Sequence, residues 1–241
     1  MTRRRGFALA EALVVIVLLG ILASIATHTM TESMATAKYE HTKKELEQLA
    51  LAIVGDPSVY VAGARSDFGY VGDVGALPPD LDALVTNPGG YSTWHGPYIS
   101  RNFDSDDFKK DAWGVLYVYS DTLLRSTGSG SNIDKIIASS TADLLANSIE
   151  GCVVDASGDV PGPVYRDSLQ LELVYPEGSG GLATASTNPT ATGNFSFSGI
   201  PIGNHSLRLI YLPDSDTTTY TVSVMPGRTV KLDLGFPADL W

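Results

Sequence analysis

The chain has 241 residues, room for a membrane helix followed by two small domains or one large one. Its formal net charge of -11 argues against a protein that grips nucleic acid through phosphate contacts, which need clustered Lys and Arg. Cys152 is the only cysteine, which rules out an intrachain disulfide; it reads as a small buried residue in a strand.

The first element is Arg3-Arg4-Arg5-Gly6-Phe7 followed by an apolar run that ends at Ala26. Between Phe7 and Ala26 the only charge is Glu11, and the run holds no Lys or Arg. Twenty residues at about 1.5 Å each give a helix about 30 Å long, enough to cross the hydrocarbon core of a bilayer. The arginines stay on the cytoplasmic side by the positive-inside rule, which sends the remaining residues to the opposite side. A secretory signal peptide would have a shorter apolar run with a small-residue cleavage site after it. Here the glycine precedes the run, and the helical pattern continues well past it. A plain signal anchor fits the hydropathy equally well. Glu11 separates the readings: a carboxylate in a span costs about 2.5 kcal/mol or more and usually has a function.

The combination of basic leader, Gly6, Phe7, hydrophobic helix and Glu11 as fifth residue from Phe7 resembles the class III signal of type IV pilins and type II secretion pseudopilins. The resemblance implies cleavage between Gly6 and Phe7 by a prepilin peptidase and N-methylation of the Phe7 amine. It also implies a role for Glu11 in subunit assembly, by pairing with the amine of a neighbouring subunit. Losing the three leader arginines takes the formal charge from -11 to -14, before the new amine is counted.

Residues 27–54 contain neither Pro nor Gly, so the helix is expected to continue to about Val54 and to be about 70 Å long. Leu46, Leu49, Ala50 and Ile53 form one apolar stripe for packing on the chain's own head. Lys43-Lys44 beside Glu40, Glu45 and Glu47 reads as a solvated face with i,i+4 pairs. Gly55-Asp56-Pro57 is a stop signal. Beyond it, Pro78-Pro79-Asp80 predicts a helical turn with Leu81, Leu84 and Val85 facing inward. Residues 115–119 predict a strand. The order of this turn, then Trp94-His95-Gly96-Pro97-Tyr98, then Asp111-Ala112-Trp113-Gly114, resembles the head of the major pseudopilin family. Ala112 and Leu116 stand where that family typically has Pro. The family often holds calcium in the loop after the strand, which maps onto residues 126–134. Ser129, Asn132 and Asp134 are the candidate ligands, but one carboxylate is a poor supply for calcium. Asp104, Asp106 and Asp107 read as a solvated acidic loop.

From Glu150 onward apolar residues alternate with polar ones, as in Leu169, Leu171 and Leu173, then Leu207 and Leu209. The same holds for Tyr220, Val222 and Val224, and for Val230, Leu232 and Leu234. About seven half-buried antiparallel strands separated by Gly/Pro turns predict a β-sandwich. The opening Ile149–Asp155 with Gly158, then Gly193-Asn194-Phe195 and Gly199-Ile200-Pro201-Ile202-Gly203, resemble carboxypeptidase-regulatory-like, transthyretin-type sandwiches. Such modules usually bind or space.

The predicted fold is therefore α+β: a long N-terminal helix, a pilin-like head and an all-β sandwich. Residues 1–6 are a leader and 7–54 the helix, with its membrane segment at 7–26. Residues 55–140 are the head, 141–148 a linker with one or two helical turns, and 149–241 the sandwich. No enzyme constellation is present: His28, His41, His95 and His205 are scattered, and no phosphate loop or nucleophile elbow occurs. His95 reads as a turn residue. No cofactor is expected beyond the calcium question. The expected function is a structural subunit of a type II secretion pseudopilus or type IV pilus-like filament. The alternative is a minor or tip subunit whose sandwich binds a surface, substrate or partner. Expected partners are further copies, other pilin-like subunits, prepilin peptidase, the inner-membrane assembly platform and the bilayer, with no nucleic acid. The expected location is the bacterial inner membrane, single-pass, with the C-terminal domains in the periplasm or outside.

Overall fold

The computed structural model describes residues 9–99 and 107–239. Helix α1, Leu9–Val54, is one unbroken element of 46 residues. Leu46, Leu49, Ala50 and Ile53 are all buried, so the predicted stripe is the face that seats the head. Gly55 ends the helix at φ 78°, and its N–H donates to Leu51 O at 2.7 Å.

A short hairpin follows, β1 (Tyr60–Val61) against β2 (Ala64–Arg65), then helix α2 (Gly69–Val74). The sequence pattern did not predict α2, because Gly69 and Gly72 interrupt it; burial of Tyr70, Val71 and Val74 holds the helix in place. The turn at Leu81–Leu84 is a 3₁₀ helix capped by Asp80, whose carboxylate accepts from Ala83 N–H at 3.0 Å. Leu81 and Leu84 face inward as expected. A further 3₁₀ turn covers Asp107–Lys109.

Strands β3 (Val118–Ser120), β4 (Leu123–Ser126) and β5 (Ile133–Ile136) form an antiparallel sheet in that order. The expected strand at 115–119 therefore begins three residues late. The Asp111 carboxylate takes the N–H groups of Trp113 and Val115 at 3.0 and 2.9 Å, which holds 111–115 in a turn.

Helix α3 (Thr141–Leu145) opens with a Ser140/Asp143 capping box. The helical turn expected in segment 141–148 is present, but the segment is packed rather than loose. Leu144 is buried in the head core, and its carbonyl accepts from Ile202 N–H at 2.8 Å. The next strand starts two residues earlier than expected, at Asn147.

The β region has seven strands among the described residues: β6 (Asn147–Val154), β7 (Leu169–Pro176), β8 (Leu182–Thr187), β9 (Asn194–Ile200), β10 (Gly203–Tyr211), β11 (Asp216–Val224) and β12 (Thr229–Gly235). A short helix α4 (Gly162–Tyr165) lies between β6 and β7. The sheets run β11-β10-β7-β8 and β12-β6-β9. Ile149, Leu171, Leu173, Leu207, Leu209, Val222 and Leu234 fill the space between them, each from an alternating strand position. One pairing departs from the antiparallel expectation: β12 runs parallel to β6, from Thr229↔Ser148 to Gly235↔Val154. The chain leaves β11 through the turn at Pro226-Gly227, crosses to the other sheet and so enters alongside β6 in the same direction.

Head and sandwich meet closely. The Gly178 N–H donates to Val74 O at 2.8 Å, Ser92 N–H to Gly180 O at 2.9 Å, and Asn204 Nδ2 to Arg65 O at 3.0 Å. Ile202, from the turn between β9 and β10, is buried in the head core.

Candidate functional site

The first half of α1 is apolar on nearly every side, and its large apolar side chains are exposed among the described residues. Its most apolar window has a mean hydropathy of 2.3 and is entirely unburied. Leu13, Ile16, Leu19 and Leu22 are each more than half exposed. So large an apolar surface needs lipid or other helices around it. Glu11 sits in the first turn of this helix, where the positive end of the helix dipole favours an anion. Gly6 and Phe7 lie outside the described residues.

The second half is tied to the head through polar contacts, two of them from Glu45 and Glu47 on the face read as solvated. Glu45 accepts from Tyr117 Oη at 2.8 Å, and His41 Nδ1 lies 3.3 Å from the same carboxylate. Glu47 pairs with Lys135 across the gap to β5. Buried Thr42 accepts from Ala112 N–H at 3.1 Å through its hydroxyl. Glu45 and Glu47 therefore make tertiary contacts, while Glu40, Lys43 and Lys44 lie exposed on the solvated face the sequence predicts.

Arg65 closes the bottom of the helix. Its Nη2 donates to Val54 O at 2.6 Å and Gly55 O at 3.2 Å, its Nε to Asp67 O at 2.7 Å, and its guanidinium lies 4.5 Å from the Phe68 ring centroid. The last turn of α1 contains no basic residue, so Arg65 supplies the cation that the dipole and the free carbonyls favour. Burial pushes the guanidinium pKa down, while neighbouring Asp67 opposes the shift. That missing basic residue was the one sequence signal that a cation must come from elsewhere.

Asp111 organises the loop that the family resemblance marked for calcium. Its carboxylate accepts from Ser126 Oγ at 2.6 Å and Gly128 N–H at 3.0 Å, besides Trp113 and Val115 N–H. Burial works to raise its pKa, but these donors outweigh it and hold the group below the usual carboxylate range. The candidate ligands are engaged elsewhere. Both carboxylate oxygens of Asp134 accept from Arg125, at 2.6 and 2.8 Å, and Ser129 Oγ donates to Ser131 O at 2.6 Å. Asn132 is exposed on the same loop. Among the described residues no three Asp, Glu, His or Cys side chains gather where they could hold a metal. The residues present in this loop do not fit a calcium cage.

His95 is exposed, with Nδ1 3.3 Å from Asp73; Tyr98 beside it donates to the same carboxylate at 2.8 Å. Cys152 is half-buried rather than buried. It lines a groove of about 500 Å³ on the outer face of β12-β6-β9, with Glu150, Asn194, Lys231 and Asp233. Asp104 and Asp106 lie outside the described residues.

The profile of the prokaryotic N-terminal methylation motif matches residues 1–27. The type II secretion system core protein G of Xanthomonas campestris pv. campestris is 33% identical over 134 residues, covering 54% of this chain and 75% of that protein. The chain belongs to the type II secretion system core protein G family. As a family member it is a membrane-anchored pilin-type subunit that assembles with other pilins in a filament. The apolar half of α1 is exposed in the structure and offers a surface that lipid or other helices can cover. Among solved structures, the dioxygenase domain of a dioxygenase–carbohydrate-binding protein fusion from Streptomyces sp. SirexAA-E aligns at a TM-score of 0.32 with 12% identity, over 42% of this chain and 86% of that one. The Bacillus anthracis TIE protein aligns at 0.31 with 16% identity, over 50% of this chain and 24% of that one. Likeness at that level carries neither family nor ligand.

Proposed function

We propose that the mature subunit begins at Phe7, cut from its leader after Gly6 by a prepilin peptidase and N-methylated at the new amine. It crosses the bacterial inner membrane once through residues 7–26 and carries its C-terminal parts on the periplasmic side or outside. An inner-membrane platform assembles it with its own copies and sibling subunits for protein export. The observation that supports this reading is the long α1, wholly exposed and apolar in its first half, carrying one carboxylate at the fifth residue from Phe7. Its role is structural rather than catalytic. The proposed division is leader 1–6, helix 7–54, head 55–140, connecting segment 141–148 and sandwich 149–241. Gly6, Phe7 and Glu11 are its functional positions.

The test is mass spectrometry of the protein recovered from an assembled filament or secretion complex. The N-terminal peptide should begin at Phe7 and carry one methyl group. Gly6→Leu should leave the leader in place, because only a small residue fits beside the scissile bond. Recovery of uncut Met1 in the assembled form would overturn the reading.

A further inference from the structure

The sheet β11-β10-β7-β8 ends in two open edges. Among the described residues, no backbone hydrogen bond joins β8 or β11 to anything outside their own sheet. Every second residue of such a strand turns its N–H and C=O outward, a template for one more strand. Folded proteins usually block an edge with charge, proline or a bulge. The other sheet does so: β12 carries Lys231 and Asp233, and the pairing of β9 with β6 shifts register at Asn147/Ser148. Strands β8 and β11 have no such device. Residues 182–187 are only Leu, Ala, Thr and Ser, and 217–224 only Thr, Tyr, Val and Ser, with Asp216 the one charge at the start of β11. Both ladders keep an unbroken register, six pairs for β8 and nine for β11.

Strand direction selects the partner. β10 is antiparallel to β11 and to β7, and β7 is antiparallel to β8, so the two edges point in opposite directions. The turns at 177–181 and 201–203 lie at one end of the sheet and touch the head: Gly178 N–H donates to Val74 O, and Ile202 is buried in the head core. The strands therefore run lengthwise from the head. Subunits anchored through α1 all stand the same way round. Side by side, β8 of one copy meets β11 of the next antiparallel, which continues the alternation of the sheet. Two β8 strands would pair antiparallel only with one copy inverted, which a shared membrane forbids.

The side chains agree. The rows Thr219-Arg208-Glu172-Ser186 and Thr221-Ser206-Val174-Thr184 cross the outer face of the sheet. Joining the edges sets Thr219 and Thr221 beside Ser186 and Thr184, hydroxyl pairs with no like charges opposed. On the inner face, small Ala183 and Ala185 leave room beside Tyr220.

We propose that the sandwich joins subunits: β8 of one copy pairs antiparallel with β11 of a second copy and extends one sheet from subunit to subunit. The two surfaces differ, so the contact is heterologous and open-ended, as a filament requires. This rests on the anchored subunits of the proposed function and adds a contact that α1 does not make.

The test is disulfide trapping in the assembled full chain, with Cys152→Ser removing the one native thiol. Ser186→Cys is combined in turn with Thr217→Cys, Thr219→Cys and Thr221→Cys, because a stagger between neighbours that keeps the faces shifts register two residues at a time. Within one chain the two edges are three strand spacings apart, about 14 Å, too far for a disulfide. Mild oxidation should give one of the pairs a ladder of dimers, trimers and longer species, and the single variants none. Filament recovered without a ladder from any pair would overturn the edge pairing and leave the α1 assembly standing. Dimers from Ser186→Cys or Thr219→Cys alone would also overturn it, since like edges would then be in contact. A ladder in protein that still carries Met1 would support the pairing and fail the processing reading instead.

Discussion

Arg65 donates to Val54 O and Gly55 O at the end of α1 and to Asp67 O beyond it, and lies over Phe68, all while 6% exposed. Arg65→Ala should leave those buried carbonyls without donors and cost about 2–3 kcal/mol. Urea unfolding of the chain from Thr27 onward measures this. Arg65→Lys should recover little, since a single ammonium cannot reproduce the planar fork. Glu11 lies at the opposite end of the same helix, in an apolar run that contains no Lys or Arg. Glu11→Gln keeps the shape and removes the charge. Both it and Glu11→Ala should insert into the membrane at normal levels yet fail to assemble, read as lost export or absent filament. Normal assembly by both variants would show that the carboxylate has no part in joining subunits.

Elements depend on their neighbours in ways that their own residues do not announce. Strand β10 carries His205, which is 2% exposed; its Nε2 lies 2.8 Å from Pro201 O, and its Nδ1 has no partner. Burial lowers its pKa, with the Pro201 contact opposing. Because the folded pKa is depressed, the unfolded chain takes up the proton first. Stability is therefore complete above about pH 6.5 and falls as pH drops below it, by at most about 1.4 kcal/mol per pH unit. Thermal unfolding followed from pH 7.5 to 5.5 should show this fall, and His205→Gln should flatten it. The slope belongs to the packing of β10 against Tyr175 and the Gly203 turn. An alternating pattern that places position 205 inward predicts burial, but it does not tell which tautomer is kept.

At the scale of the whole molecule, the head and the sandwich are joined by backbone. Gly75 has φ 78°, and a Cβ built there would lie 2.1 Å from Pro176 O, so the end of α2 rests directly on the end of β7. Leu144 and Ile202 are buried in the head core from segments near the sandwich. We therefore expect calorimetry of the chain from Thr27 onward to show one cooperative transition rather than two. Gly75→Ala should lower that whole transition, through both left-handed strain and the clash, by more than about 1 kcal/mol. Two separate transitions, with only one of them moved by the substitution, would mean that the units fold independently. Protease should likewise be slow at 139–149, because Leu144 is buried and the α3 backbone is bonded.

Periodicity and composition determined the long helix, its buried stripe at Leu46, Leu49, Ala50 and Ile53, its stop at Gly55, and the strands carrying alternating leucines. These depend on local spacing, which each segment carries by itself. The N-terminal methylation motif over residues 1–27 was legible for a related reason: it is a linear pattern that needs no fold. Only the tertiary structure decided that Glu45 and Glu47 face the head, that β12 lies parallel to β6, that α2 forms despite two glycines, and that Asp134 is committed to Arg125. It also decided that Arg65 closes α1. These features depend on contacts between different elements, and the energy of such a contact resides in burial and hydrogen bonding that exist only once the segments have met.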